Sequence, residues 1–178
     1  MKKVLFTAAV ACLALQASAQ KFMTRSGKIS FFSTTPIENI EAFNNEVAAA
    51  VNTASGDVVF QVPVKSFKFE KQLMQEHFNE SYMESDKFPK AEFKGKMNPA
   101  AFTKDGTYKT TVNGKLTIHG VTKDVQIPGT IIVKGSELTL NTKFNVATAD
   151  YNIQIPAVAK GKIANQIEVT VNSVLKKA

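Results

Sequence analysis

The chain has 178 residues, 44% hydrophobic and 21% charged, with one cysteine and no tryptophan. That balance excludes a disordered polymer, and the lone cysteine excludes a disulfide-stapled or cysteine-rich zinc scaffold. The formal net charge of +7 comes from scattered lysines with no run of five or six, which describes a solubilising surface rather than a nucleic-acid footprint.

Residues 1–19 read as an export signal. Lys2 and Lys3 form a positive start, residues 4–15 an apolar run, and Ala17-Ser18-Ala19 a small-residue cleavage site. The apolar run is shorter than the about 20 residues a membrane-spanning helix needs. Lipidation at Cys12 is disfavoured, because Ala9-Val10-Ala11 is a poor lipobox and the apolar run continues past the cysteine. Cleavage after Ala19 leaves residues 20–178, a length suited to one domain, with no cysteine and a net charge reduced by two to +5. These properties suit an oxidising periplasm. Export removes nucleic acid from the expected partners, and the residual positive charge suits transient contact with an anionic membrane surface.

Eight strands are expected, near 28–33, 42–51, 58–69, 91–97, 107–118, 122–133, 137–146 and 166–175. Thr35-Pro36-Ile37-Glu38 carries a cap residue, a first-turn proline and a capping-box glutamate, and predicts a short helix. Phe43, Val47, Ala49 and Val51 share one face of the second strand, with Asn44 and Glu46 opposite. Val58, Phe60, Val62 and Val64 share a face of the third, but Phe67 and Phe69 fall out of phase. The slip after Pro63 predicts a bulge or bend, because proline cannot donate to a ladder. Over residues 72–83, Leu73 with His77, Met74 with Phe78 and Phe78 with Tyr82 stand at helical spacing.

Further along, Val112, Gly114, Leu116 and Ile118 alternate with Thr111, Asn113, Lys115, Thr117 and His119, a strand with one dry and one wet face. Gly120 supplies the freedom for a reversal. Leu138, Leu140 and Phe144 continue the alternation, as do Ile167, Val169 and Val171. Ser55-Gly56, Lys104-Asp105-Gly106 and Lys134-Gly135-Ser136 provide short connections. Eight mostly antiparallel strands so connected are best satisfied by closure, which removes exposed edges. The expected fold is all-β: an eight-stranded antiparallel barrel with one or two short helices at its end.

A barrel of eight strands is either filled by its own side chains or holds one small ligand. Thirteen Phe, three Tyr and no Trp give an apolar, hydrogen-bond-poor interior that suits a hydrocarbon chain and equally suits a filled core. The residues expected to face a ligand are Phe43, Val47, Phe60, Val62, Phe93, Leu116, Ile118, Phe144 and Val169 on the strands, with Phe78 from the helix. Phe67, Phe69, Phe78, Tyr82 and Phe88 flank that helix and serve either as rim packing or as an apolar portal. His77 and His119 are isolated, so neither a metal nor another cofactor is expected. Glu76, Glu80, Glu84 and Asp86 read as the solvated side of a helix and lack EF-hand spacing. No nucleophile elbow or phosphate-binding loop is present, and no catalytic residues are expected.

Three blocks carry a family resemblance. Gly114-Lys115-Leu116-Thr117-Ile118-His119-Gly120-Val121-Thr122-Lys123-Asp124-Val125 resembles the "G-x-L-T-I-x-G-V-T-K-x-V" signature of the YceI-like family. Leu73-Met74-Gln75-Glu76-His77-Phe78-Asn79-Glu80, followed by Lys87-Phe88-Pro89-Lys90-Ala91-Glu92-Phe93, is similar to that family's short helix and the strand after it. Asp150-Tyr151-Asn152-Ile153 resembles its "D-F-G-I". The resemblance implies a lipocalin-like periplasmic barrel that binds polyisoprenoid lipids such as isoprenoid quinones or polyprenyl phosphates. Two segments depart from the commoner pattern: Ser30-Phe31-Phe32-Ser33, where many members carry a histidine, and Glu70-Lys71-Gln72-Leu73-Met74, which lacks the family's arginine. The family's head-group contacts therefore do not transfer. The alternative is a periplasmic structural or stress-response protein with a filled core and no lipid ligand.

Overall fold

The computed structural model describes residues 21–99 and 104–178, so the export signal lies outside the described residues. The strands are β1 (Lys21–Thr34), β2 (Asn39–Asn52), β3 (Asp57–Pro63), β4 (Lys68–Phe69), β5 (Lys90–Lys96), β6 (Gly106–Ile118), β7 (Val121–Lys134), β8 (Glu137–Ala147) and β9 (Gln166–Lys177). They follow the order β1-β9-β8-β7-β6-β5-β3-β2, and β1 pairs with β2 to close the sheet into an eight-stranded antiparallel barrel. The two-residue β4 adds to β2 alone, opposite Ala42 and Phe43.

The third expected strand is broken where its phase slips. β3 ends at Pro63, a 3-10 turn covers Val64–Ser66, and the chain resumes as β4. Val64 leaves the ladder to donate its N–H to the Pro89 carbonyl at 2.9 Å. Helix α1 (Gln72–His77) runs into a π-helical turn over Phe78–Tyr82, within the expected 72–83 segment.

Two sequence expectations are corrected. The helix at Thr35-Pro36-Ile37-Glu38 does not form; these residues are the hairpin loop between β1 and β2. The Thr35 hydroxyl accepts the N–H groups of Ile37 (3.2 Å) and Glu38 (3.0 Å), as a cap would. The chain is already paired again at Asn39, opposite Thr34, so no helical turn can follow.

The second correction concerns β2. Gly27 faces Val47 and Ile29 faces Asn44, so two steps of β1 oppose three of β2. Such a bulge switches faces. Phe43 therefore points outward and is 48% exposed, while Asn44 points inward and is fully buried.

One end of the barrel is packed shut by Phe22, Val51, Met97, Val133, Leu138 and Leu175, all buried in one cluster. The other end carries the β1–β2 loop, α1 with the chain that follows it, the β6–β7 turn and the long connection from β8 to β9. One wall is incompletely zipped. β7 and β8 pair only from Thr130 opposite Asn141 to Lys134 opposite Glu137. Pro128 has no N–H to extend the ladder, and the Thr142 hydroxyl donates to its carbonyl at 2.6 Å instead.

Candidate functional site

The barrel encloses a cavity of about 710 Å³, within the range typical of small-molecule sites. Its interior is thus hollow rather than filled. Inward positions on β3, β5, β6, β8 and β9 alternate without interruption and supply its wall, with the buried cluster as its floor.

Of the residues expected to face a ligand, Phe60, Val62, Phe78, Phe93, Leu116, Ile118, Phe144 and Val169 line this cavity. Val47 is fully buried in the wall packing and is not part of the lining. Phe43 is excluded by the bulge and lies on the outer face. Sequence reasoning missed Phe31, Ile127, Ile131 and Ile153, which also line the cavity. Phe31 falls in the first expected strand, near 28–33, whose faces the sequence reading does not assign. Its place at every second residue from Ile29 was the available signal.

Phe31, Phe67, Phe69 and Phe78 form one aromatic cluster below the helix. Phe31 meets Phe67 at 5.2 Å, Phe69 at 5.7 Å and Phe78 at 5.5 Å between ring centroids, and Phe69 meets Phe78 at 5.1 Å. Tilted and edge-on rings at this spacing are favourable beyond the area they bury. Rim packing and cavity lining are the same residues here. Phe88 is not among them: its ring lies edge-on to His119 at 4.6 Å.

Charged groups reach the lining at few places. Glu38 of the β1–β2 loop and Lys71 before α1 approach at 3.9 Å. Lys162 stands on the β8–β9 connection. Glu92 is held by the Gln61 amide at 2.9 Å and by Lys94 at 3.1 Å. Thr110, Thr130, Asn141 and Thr142 supply neutral polar atoms beside the unzipped wall.

The turn in the signature block is built from His119 (φ 49°) and Gly120 (φ 74°), between Ile118 and Val121 of the ladder. Two consecutive residues at positive φ give the turn whose twist suits a tight hairpin. His119 is therefore in the turn itself and not on the wet face of β6. Its side chain is 10% exposed and joins three segments: Nδ1 lies 3.2 Å from the Tyr151 carbonyl oxygen and Nε2 lies 2.8 Å from a Glu84 carboxylate oxygen. Burial pushes the Tyr151 phenol above its ordinary value, and the neighbouring Asp150 charge adds to the shift.

His77 is on α1 and contributes to the lining. Glu76, Glu80, Glu84 and Asp86 are all exposed, as a solvated face requires. Among the described residues no group of three or more His, Cys, Asp or Glu is placed to hold a metal ion.

An eight-stranded antiparallel barrel, shut at one end and hollow and apolar toward the other, defines the lipocalin-like class of barrels. Within it the sequence model of the YceI-like domain matches residues 15–175, and the chain belongs to that family. Three solved structures share the fold. A polyisoprenoid binding domain from Saccharophagus degradans superposes with a TM-score of 0.79 at 11% identity, covering 90% of this chain and 99% of its own. BcnA of Burkholderia cenocepacia gives 0.72 at 20% identity, covering 83% and 95%. The YCEI protein of Campylobacter jejuni gives 0.64 at 17% identity, covering 82% and 89%. No curated protein matches the sequence.

Proposed function

We propose that the protein binds an amphiphilic isoprenoid lipid, an isoprenoid quinone or a polyprenyl phosphate, with its chain inside the barrel. It sequesters or carries that lipid and does no chemistry on it. The observation that carries this reading is the hollow apolar lumen of about 710 Å³ roofed by the phenylalanine cluster. Membership of the YceI-like family and likeness to a polyisoprenoid binding domain support it.

The energetics are sufficient without catalytic machinery. Each buried methylene contributes about 0.8 kcal/mol, so some twenty carbons give roughly 15 kcal/mol gross. Association costs about 4–15 kcal/mol, which leaves useful net affinity for a long chain and little for a short one.

Native mass spectrometry of protein purified without detergent tests the reading. The expected spectrum carries a mass increment equal to one isoprenoid lipid. Protein that arrives empty, and that takes up neither a long-chain quinone nor a polyprenyl phosphate from detergent, would overturn it.

The same reading places the protein in the periplasm after cleavage of residues 1–19. Intact mass of the exported protein checks this: the expected chain begins at Gln20, and a diacylated cysteine at its start would refute it.

A further inference from the structure

The open end of the barrel bears features that enclosing a ligand does not require. Ile37 is 67% exposed, Leu73 61% and Val158 87%. They come from three separate connections: the β1–β2 loop, α1 and the β8–β9 connection. The three meet at one rim. Lys71, two residues before Leu73, reaches Glu38, the neighbour of Ile37. The Ile37 Cδ1 atom would lie 3.3 Å from a Cβ placed on Gly161. Leu73 and Val158 also line the cavity, so the exposed apolar tips continue into the lumen.

Scattered exposed apolar residues are ordinary, but a set gathered round one opening marks an interaction site. Its charge favours one kind of partner. Lys160 and Lys162 follow Val158 on the same connection and flank Gly161, and among the described residues neither takes part in an ion pair. Glu38 is engaged by Lys71. The exposed Glu76, Glu80, Glu84 and Asp86 belong to α1 and the chain after it, so the basic pull lies on the β8–β9 side of the rim. Apolar tips beside free lysines match a bilayer bearing anionic head groups, where tips enter the interface and ammonium groups meet phosphates.

We infer that this rim is a membrane-docking surface: Ile37, Leu73 and Val158 insert into an anionic phospholipid bilayer, and Lys160 and Lys162 hold the barrel mouth-down upon it. The inference rests on the lipid-binding reading, since a mouth laid on a bilayer lets a hydrocarbon chain pass between membrane and lumen without crossing water.

Flotation of the purified protein with vesicles tests it. Wild type should float with vesicles of phosphatidylcholine containing a third phosphatidylglycerol, and at least tenfold less with phosphatidylcholine alone. Ile37→Ser/Leu73→Ser/Val158→Ser should lower flotation at least tenfold, with unchanged thermal unfolding because all three sites are exposed. Lys160→Glu/Lys162→Glu should abolish the preference for phosphatidylglycerol. Met23→Ser/Val174→Ser, which removes apolar groups exposed toward the shut end, should float as wild type.

Uptake of a quinone from detergent, read by native mass spectrometry, keeps the two readings separate. Uptake by a wild type that does not float overturns docking and leaves lipid binding standing. Flotation that depends on the rim, without uptake, overturns lipid binding alone. Equal flotation of the serine triple variant, equal loss in the Met23/Val174 control, or rim-dependent dimerisation in sedimentation would each overturn docking.

Discussion

Asn44 shows at the residue scale how this barrel tolerates its breaks. Its Nδ2 donates to the Pro63 carbonyl at 2.8 Å, and its Oδ1 accepts the Glu46 N–H at 2.9 Å. One side chain thus serves both the β2 bulge and the end of β3. Ser173, also fully buried, does the same for β1, accepting the Lys28 N–H at 3.0 Å where pairing with β9 is interrupted. Asn44→Ala would take their partner from two part-buried backbone groups, the Pro63 carbonyl and the Glu46 N–H, at up to about 1–3 kcal/mol each. We expect a loss of about 3 kcal/mol in urea unfolding, against about 1 kcal/mol for an outward change such as Phe43→Ala. In the signature block, Gly114 faces Gly95 across the β5–β6 ladder, and the Phe93 ring covers both. A Cβ at Gly114 would stand 2.6 Å from the Gly95 Cα. Tyr151 gives a pH prediction. Its folded-state pKa is raised from 10.0, so the unfolded chain releases this proton first and stability falls as pH climbs above about 10. Tyr151→Phe should flatten that decline, read as the alkaline slope of the unfolding midpoint.

Elements were legible where period and punctuation agree. The break after Pro63 followed from the phase slip, and α1 from its helical spacing. The bulge in β2 was not legible: inserting one residue shifts the phase without leaving a proline or glycine as a marker. Unbroken alternation back from Val47 puts Phe43 inward and Asn44 outward for that reason alone. The eight residues that do line the lumen sit on strands whose alternation is continuous around them, or on the helix. The helix before Asn39 failed because a cap signal also serves a tight turn when strands pair on both sides of it. α1 itself has six residues, no buried side chain and no side-chain cap. Isolated helices so short are marginal, so this one is held by Phe78 and the aromatic cluster below it. Amides over residues 74–82 should exchange far faster than those of the β6–β7 ladder, and a bound isoprenoid should slow them. Hydrogen-exchange mass spectrometry with and without ligand checks this.

For the molecule as a whole, the decisive quantity is the length of chain the lumen accepts. Leu116 is 8% exposed, lines the cavity and sits in the well-paired β5–β6 wall. Leu116→Phe keeps that wall apolar and narrows the lumen, with overpacking costing at most about 3 kcal/mol. The variant should remain folded, lose affinity for a long-chain quinone and retain it for a short-chain one, by fluorescence titration. Equal affinities in variant and wild type for both lengths would place the chain outside the barrel. The partial zipping of β7 against β8 bears on how the molecule fails. Mouthward of Thr130 and Asn141 both strands run on unpaired with each other, while the outer ladders, β6–β7 and β8–β9, continue to the strand ends. Free strand edges are templates for another chain. Here Pro128 withholds a donor, Lys123 and Asp124 keep the edge hydrated, and the Thr148–Tyr151 turn packs against β7. These are gatekeepers against fibril growth. With Lys123 and Asp124 changed to valine, warming should seed cross-β aggregates from this seam while the parent protein stays in solution.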